Sequence, residues 1–405
     1  MAVVFFTHAF PPLKYAQSIQ VGRFVKYSTH DIRVICCDED SGKDYSIAEE
    51  MNGKPFEQFT VERRQLGSGF YHRLLAHVLV PDQYRSWSMS AAAQALERSW
   101  VSSKDLLVTF GEPMSVHLAG LSLKRAIGMP WIAHFSDPWA DNPHRRLPIL
   151  RLLNKGLEAK VVSAADRLIF TSDETLHLVM QKYPSRMATK SRVLSHSFDP
   201  EMYGSTNDGH DGIVVRYLGN FYGHRKPDPL IKAVQQLYRE RPELLQGVTI
   251  ELVGGIRRIP TSLLGALPST LIRFVPPVDY KTSLTLMESA DLLLVIDAPF
   301  DQSVFLPSKL VDYIGAQRPV FAITPPGTSA KLVSDLGGLV AHPKNIEDVA
   351  GKLAESIMRL RMSKSVTEGN SMLRQKFAAT SVASRLDFII DEVWQSASQI
   401  QSCAH

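Results

Sequence analysis

Cysteine is nearly absent: Cys36, Cys37 and Cys403 are the three in 405 residues. Three thiols cannot build a disulfide framework, and no Cys-x-x-Cys or Cys/His ligand spacing occurs, so the usual zinc modules are excluded and no metal is expected. Long apolar runs are missing too, since no stretch approaches the roughly 18 residues of a membrane span. The N-terminus, Met1-Ala-Val-Val-Phe-Phe-Thr, has no basic n-region and breaks off at His8 and the Pro11-Pro12 pair, unlike a signal peptide. A soluble, cytoplasmic chain is expected. An excess of one charge is lacking as well: 45 Lys+Arg against 41 Asp+Glu leave a net +4, too mild to call for a nucleic-acid partner. Neither GxGxxG nor a Walker lysine loop nor a GxSxG elbow is present, which disfavours a Rossmann dinucleotide site, P-loop chemistry and α/β-hydrolase chemistry.

What remains is ordinary globular composition, 44% hydrophobic, 21% charged and 9% aromatic, which excludes disorder and low-complexity architectures. The length exceeds what one core usually serves, so two domains are expected. Compact β-branched or aromatic runs at 2–6, 32–36, 106–110, 131–135 and 167–171 read as strands buried on both faces of a parallel sheet. Helical patterns at 18–27, 87–100 and 115–127 lie between them. The second half repeats the theme, with strands at 214–218, 249–253, 271–275, 292–296 and 319–323 and helices at 229–239, 284–289, 308–316 and 346–360. Alternating βαβ units predict an α/β fold with an open sheet in each half and ligands held at carboxyl strand ends, in a cleft between the halves. The polar stretch 204–212 marks the boundary, giving domains 1–203 and 212–380. Apolar spacing at 381–398 predicts a final helix returning to the first domain.

The strongest chemical signal is Leu306-Pro-Ser-Lys-Leu-Val-Asp-Tyr-Ile-Gly-Ala-Gln-Arg-Pro-Val320. Pro307 and Ser308 suit a helix start, whose free N–H groups and positive dipole end attract an anion. Lys309 adds charge in that first turn, and Asp312, one turn on, can reach vicinal ribose hydroxyls. The same residues also suit an amphipathic helix with Lys309 and Asp312 solvated. A second stretch, Arg216-Tyr-Leu-Gly-Asn-Phe-Tyr-Gly-His-Arg-Lys226, is either a close-approach loop built on Gly219 or a polar turn with a solvated cationic cluster. A third, Gly128-Met-Pro-Trp-Ile-Ala-His-Phe-Ser-Asp-Pro-Trp-Ala-Asp141, runs a strand into Ser136 and Asp137. Alternation puts His134 on the Ser136 side, and Asp137 also suits an Asx turn, as His134 suits a buried core.

These stretches, in their order along the chain, resemble the GT-B glycosyltransferases of the retaining family-four type. In that family a Glu, seven residues and a second Glu open the donor helix before Gly-x-Pro-Val. Asp312 occupies the second acidic position and Arg318-Pro-Val320 the close, while the first Glu falls at Val304, with Ser303 and Asp301 the nearest polar stand-ins. The Pro-Ser-Lys-Leu entry resembles a subgroup acting on bacterial surface sugars. The family's Arg falls at Asn220 and its diphosphate-binding Lys at Arg225. The resemblance implies a donor site of Gly219, Asn220, Arg225, Ser308, Lys309 and Asp312, with Arg225 and Lys309 on the diphosphate and Asp312 on the ribose. On the acceptor side it implies Asp137 as the residue facing the acceptor, with His134, Ser136 and Tyr15, the last standing where the family has a Gly-rich turn after Pro-Pro. It further implies a UDP- or GDP-sugar donor, transfer with retention to a hydroxyl of a glycan, lipid-linked or small-molecule acceptor, and no metal or other cofactor. A nucleotide-sugar epimerase or hydrolase, or a non-catalytic partner subunit, is the alternative. Finally, 144–160 sets five Lys/Arg against one acid among Leu147, Ile149, Leu150, Leu152 and Leu153. It can rest on an anionic leaflet as a peripheral membrane contact, or turn its apolar residues into the core.

Overall fold

The computed structural model describes residues 2–39, 42–51, 54–63, 80–144, 147–204, 209–255, 261–265, 267–362 and 371–403. The chain divides into two compact units, 1–196 with 379–405, and 197–378.

In the first unit, β1 (Val3–Phe6), β2 (Ile32–Asp38), β3 (Glu57–Glu62), β4 (Leu106–Gly111), β5 (Trp131–Phe135), β6 (Arg167–Phe170) and β7 (Ser191–Val193) form a parallel seven-stranded sheet in the order β3-β2-β1-β4-β5-β6-β7. The central strands are buried along their length because helices cover both faces. Helix Ser115–Ile127 ends where Gly128 turns left-handed at φ 73°, as a C-cap glycine should. Helix Ala379–Cys403 packs Val382, Leu386, Ile390 and Val393 against β1, β2 and helix Ala16–Tyr27. Asp387 locks it there by accepting from Ser28 Oγ at 2.6 Å and Thr29 N at 2.7 Å. The final helix therefore returns to the first unit.

In the second unit, β8 (Ile213–Leu218), β9 (Val248–Val253), β10 (Ile272–Val275), β11 (Leu292–Ile296), β12 (Val320–Ile323) and β13 (Leu339–Ala341) run parallel in the order β10-β9-β8-β11-β12-β13. Successive connections leave β8 in one direction and β11 in the other. The carboxyl ends of these two strands thus make a topological switch point, where open α/β sheets hold ligands.

The units divide at His196/Ser197 rather than at the polar stretch 204–212, because 199–203 is tied to the second sheet's helices. Tyr203 donates to the Asp312 carbonyl at 3.0 Å. Its ring fills the space left by Gly315, where a Cβ would lie 2.3 Å away. Three edge strands, β3, β7 and β13, were absent from the sequence reading. Their residues are half exposed or alternate in burial, so they carry no continuous apolar run.

Candidate functional site

The switch point of the second sheet is built from four segments. Gly219 ends β8 with φ 133° and lets the backbone pass close to Gly254, whose added Cβ would meet the Gly219 carbonyl oxygen at 2.2 Å. Asn220 Oδ1 accepts from Gly255 N at 2.7 Å, tying the loops after β8 and β9 together. Through this bond the Asn220 carboxamide oxygen holds the turn of the site.

Arg225, seven residues beyond β8, swings back over the strand end. Its Nη2 donates to Asp297 Oδ1 at 3.1 Å and its Nη1 to the Tyr222 hydroxyl at 3.3 Å, and its side chain is 13% exposed. Asp297 follows β11 directly and is held by Thr324, whose Oγ1 donates to Oδ2 at 2.8 Å. Asp297, Thr324 and Tyr217 escaped the sequence reading. The available signal was an acid placed immediately after the all-apolar run of β11.

Helix Ser308–Ala316 has Pro307 as its N-cap residue and no side-chain cap; Leu310 N donates to the Pro307 carbonyl at 3.0 Å, and the N–H groups of Ser308 and Lys309 are the ones a ligand or water can meet. Ser308 begins the helix. Lys309 Nζ is buried, has no hydrogen-bond partner among the described residues, and sits 3.7 Å from the centroid of the Tyr217 ring. A Cβ at Gly219 would stand 3.3 Å from that amine. Burial holds the Lys309 pKa well below the usual lysine value, Arg225 pushes in the same direction, and Asp297 opposes them. A desolvated amine beside a guanidinium, with one carboxylate between two cations, lacks negative charge. Such a group can receive an anion. Asp312, one turn on, is only 5% exposed and its Oδ1 accepts from Tyr280 at 3.3 Å. Ser303 is buried with Oγ 3.5 Å from Asp297, whereas Asp301 is fully exposed and pairs with Lys344 at 3.2 Å. Val304 is buried at 7% exposure.

In the first unit, Ser136 and Asp137 are half-buried in the turn that leaves β5. Ser136 N reaches the Gly111 carbonyl at 3.3 Å. His134 lies within the core: its ring is 5.2 Å from Phe110, its Nδ1 is unpartnered among the described residues, and burial drives its pKa down to about 3. It is a neutral core histidine in this structure. Tyr15 stands at the N-cap of helix Ala16–Tyr27 without capping it, 43% exposed.

Helix Pro148–Ala164 buries Val161 and Val162 in the core together with two polar residues, and leaves several apolar side chains of its first half outside. Its buried residues include Asn154 and Glu158, which accept from Trp139 Nε1 at 2.7 Å and from Ala140 N at 2.9 Å. Glu158 also meets Lys182 and the Tyr183 hydroxyl, both at 2.7 Å. The polar side turns inward because these buried partners demand it. Leu147, Ile149, Leu152 and Leu153 are left 50–65% exposed, and Lys155 and Lys160 lie exposed alongside. Arg145 and Arg146 lie outside the described residues. No helix among the described residues is long and apolar enough to cross a membrane.

Two parallel sheets of Rossmann-like character match the GT-B glycosyltransferase fold. The structure matches Anabaena HepE, solved in complex with UDP and glucose, at a TM-score of 0.69 and 14% identity over 97% of this chain and 100% of that one. It also matches an α,α-trehalose-phosphate synthase (UDP-forming) from Burkholderia xenovorans, solved with glucose-6-phosphate, at 0.70 and 11% identity over 96% and 99%. Among curated proteins, D-inositol 3-phosphate glycosyltransferases are similar in sequence. That of Kribbella flavida is 30% identical over 117 residues, 27% of each chain. That of Saccharomonospora viridis is 24% identical over 238 residues, 55% of this chain and 54% of its own. The aligned part thus spans between about a quarter and about half of these relatives. No family model matches the chain.

Proposed function

We propose that the chain is a glycosyltransferase that moves a sugar, with retention, from a nucleoside-diphosphate sugar to a hydroxyl. The observation that carries this is the unpartnered Lys309 amine beside Arg225 at the end of β8. Departure of a nucleoside diphosphate builds charge on phosphate oxygens, and a fixed guanidinium, an ammonium and a helix N-terminus stabilise it in place of a metal ion. Arg225 and Lys309 hold the diphosphate. Asp312 is assigned to the ribose, for which its carboxylate shares its Tyr280 bond. The leaving phosphate accepts the proton of the attacking hydroxyl, so no protein base is required. Asp137 orients that acceptor. The UDP of the HepE structure and the inositol-phosphate specificity named for the curated relatives favour a UDP-sugar donor and a polyol, sugar or glycan acceptor.

The acceptor class extends to lipid-linked glycans made for the bacterial surface, with the chain docked on the inner, anionic leaflet. The exposed Leu147, Ile149, Leu152 and Leu153 beside Lys155 and Lys160 support this reading. Incubation with a panel of sugar nucleotides, with the anomeric configuration of the product read by NMR, tests the reaction. Transfer with inversion, or consumption of no donor, refutes it. A second reading, a non-catalytic subunit, draws on Val304, which is buried and apolar where the resembled family carries a Glu. Calorimetry separates the two, since a subunit that has lost the site binds neither UDP nor GDP.

A further inference from the structure

At the carboxyl ends of β1 and β2 three buried side chains of unlike chemistry converge. His8, Cys37 and Glu39 are 3%, 5% and 8% exposed. One imidazole nitrogen, the thiol sulfur and a carboxylate oxygen all lie within 4.8 Å of one another. The backbone sets them together: β1 and β2 pair in parallel, and Cys37 N donates to the His8 carbonyl at 3.1 Å. The cluster belongs to the first unit, whereas Lys309 and Arg225 belong to the second.

One atom of the group is unexplained. His8 Nε2 is buried and makes no hydrogen bond within 3.5 Å among the described residues, and it faces Glu39 Oε1 at 3.6 Å, an ion pair when the imidazole is protonated. A buried polar nitrogen left unpaired is costly unless something engages it. One nitrogen, one sulfur and one oxygen donor select against calcium and magnesium, which take oxygen, and suit zinc. Zinc bonds of about 2.0–2.3 Å make a tetrahedron with edges of about 3.3–3.6 Å. The His8–Glu39 separation is already such an edge, and the Cys37 sulfur lies within 4.8 Å of both. Arg63 Nη1 donates to Glu39 Oε1 at 2.7 Å, the outer hydrogen bond that ligating carboxylates commonly carry. The rings of Tyr84 and Trp87, at 4.1 and 5.3 Å from the His8 ring, shield the group from water.

We propose that His8, Cys37 and Glu39 form a zinc site, with a water in the fourth position. On binding, the Cys37 S–H bond breaks, its proton leaves to solvent, and the sulfur lone pair is given to the ion. No electron is transferred. The ion ties the loop after β1 to the end of β2.

The test uses the full-length protein stripped with a chelator and titrated with zinc chloride and, separately, cobalt chloride. One equivalent of zinc binds, protons are released, and cobalt gives the near-ultraviolet thiolate charge-transfer band. Cys37→Ser removes that band and weakens zinc by more than the roughly 10–100-fold typical of losing an outer partner alone. Cys36→Ser, whose sulfur instead takes a hydrogen bond from Gln58 at 3.1 Å, keeps the band. If Cys37→Ser does not fold, Glu39→Gln replaces it and binds zinc at least tenfold more weakly. A wild-type protein with no thiolate band, or a Cys37→Ser protein with unchanged zinc affinity, overturns the site. His8, Cys37 and Glu39 are then a buried polar network closed by Arg63.

Discussion

The Lys309 Nζ lies 3.7 Å from the centroid of the Tyr217 ring, and that aromatic face occupies the place of a hydrogen-bond acceptor. A ring face gives a cation about 0.5–2 kcal/mol, less than a buried amine loses on leaving water. On the proposed function, that deficit is made up by the diphosphate of the donor.

The first prediction follows from that imbalance. Lys309→Met replaces an unpartnered buried amine with an apolar chain of similar length and stabilises the nucleotide-free protein by about 1–3 kcal/mol, read as a higher Tm. The same variant loses most of its affinity for UDP or GDP. Arg225→Ala weakens the diphosphate by about 1.5–3 kcal/mol and, by leaving Asp297 unpaired, also destabilises the fold. Calorimetry with nucleoside diphosphates and thermal melts read the two effects separately, and unchanged affinity in both variants removes the donor-site assignment.

Proton linkage gives the second. In the free protein the Lys309 pKa is held down by burial and by Arg225. A diphosphate favours the charged amine and raises that pKa, so binding takes up a proton where the pH lies between the free value and that of the complex. Affinity then falls as pH rises toward the pKa of the complex, by up to about tenfold per unit. Calorimetry in buffers of different ionisation enthalpy measures the uptake, which Lys309→Met abolishes. Zero uptake in the wild type across neutral and alkaline pH contradicts the scheme.

A third prediction concerns acid stability. His117 and His134 are driven down to about 3 and His196 to about 4, chiefly by burial. Each is neutral when folded and charges near pH 6.5 when unfolded, so the unfolded chain binds more protons between these values. Their contribution is complete above about pH 6.5 and is lost as pH falls toward 4 and 3. His134→Phe, which fits beside Phe24 and Phe110, flattens the loss of stability between pH 6 and 4 and leaves nucleotide affinity intact. Urea midpoints measured across that range supply the check.

For the membrane contact, the two halves of the patch carry different weights. Burying each exposed leucine or isoleucine contributes about 1.5–3 kcal/mol, while each lysine near an anionic surface adds about 1. Ile149, Leu152 and Leu153 changed together to Ser should abolish binding to phosphatidylglycerol vesicles. Lys155→Glu with Lys160→Glu should weaken it and remove its salt dependence. Both variants keep the fold, because the altered side chains are exposed. Equal sedimentation of the wild type with anionic and neutral vesicles would show that charge plays no part.

The sequence by itself determined the two parallel sheets and the order of the central strands' connections. Continuous apolar runs such as 292–296 admit little else, and Pro307, Gly128 and the 381–398 spacing placed helix ends and the returning helix. The helix carrying Lys309 and the loop carrying Arg225 were legible for the same reason, since local residue types dictate them. Asp297 was not, because an acid after a strand acquires meaning only when Arg225 reaches it from 72 positions away. The sequence spacing of 144–160 was compatible with apolar residues inward or outward. Only the buried partners Trp139, Ala140, Tyr183 and Lys182 turned Asn154 and Glu158 inside and the leucines out. His8, Cys37 and Glu39 have no ligand spacing at all along the chain. Parallel pairing of β1 with β2 alone makes them neighbours, because side-chain proximity across a sheet depends on register and not on sequence distance.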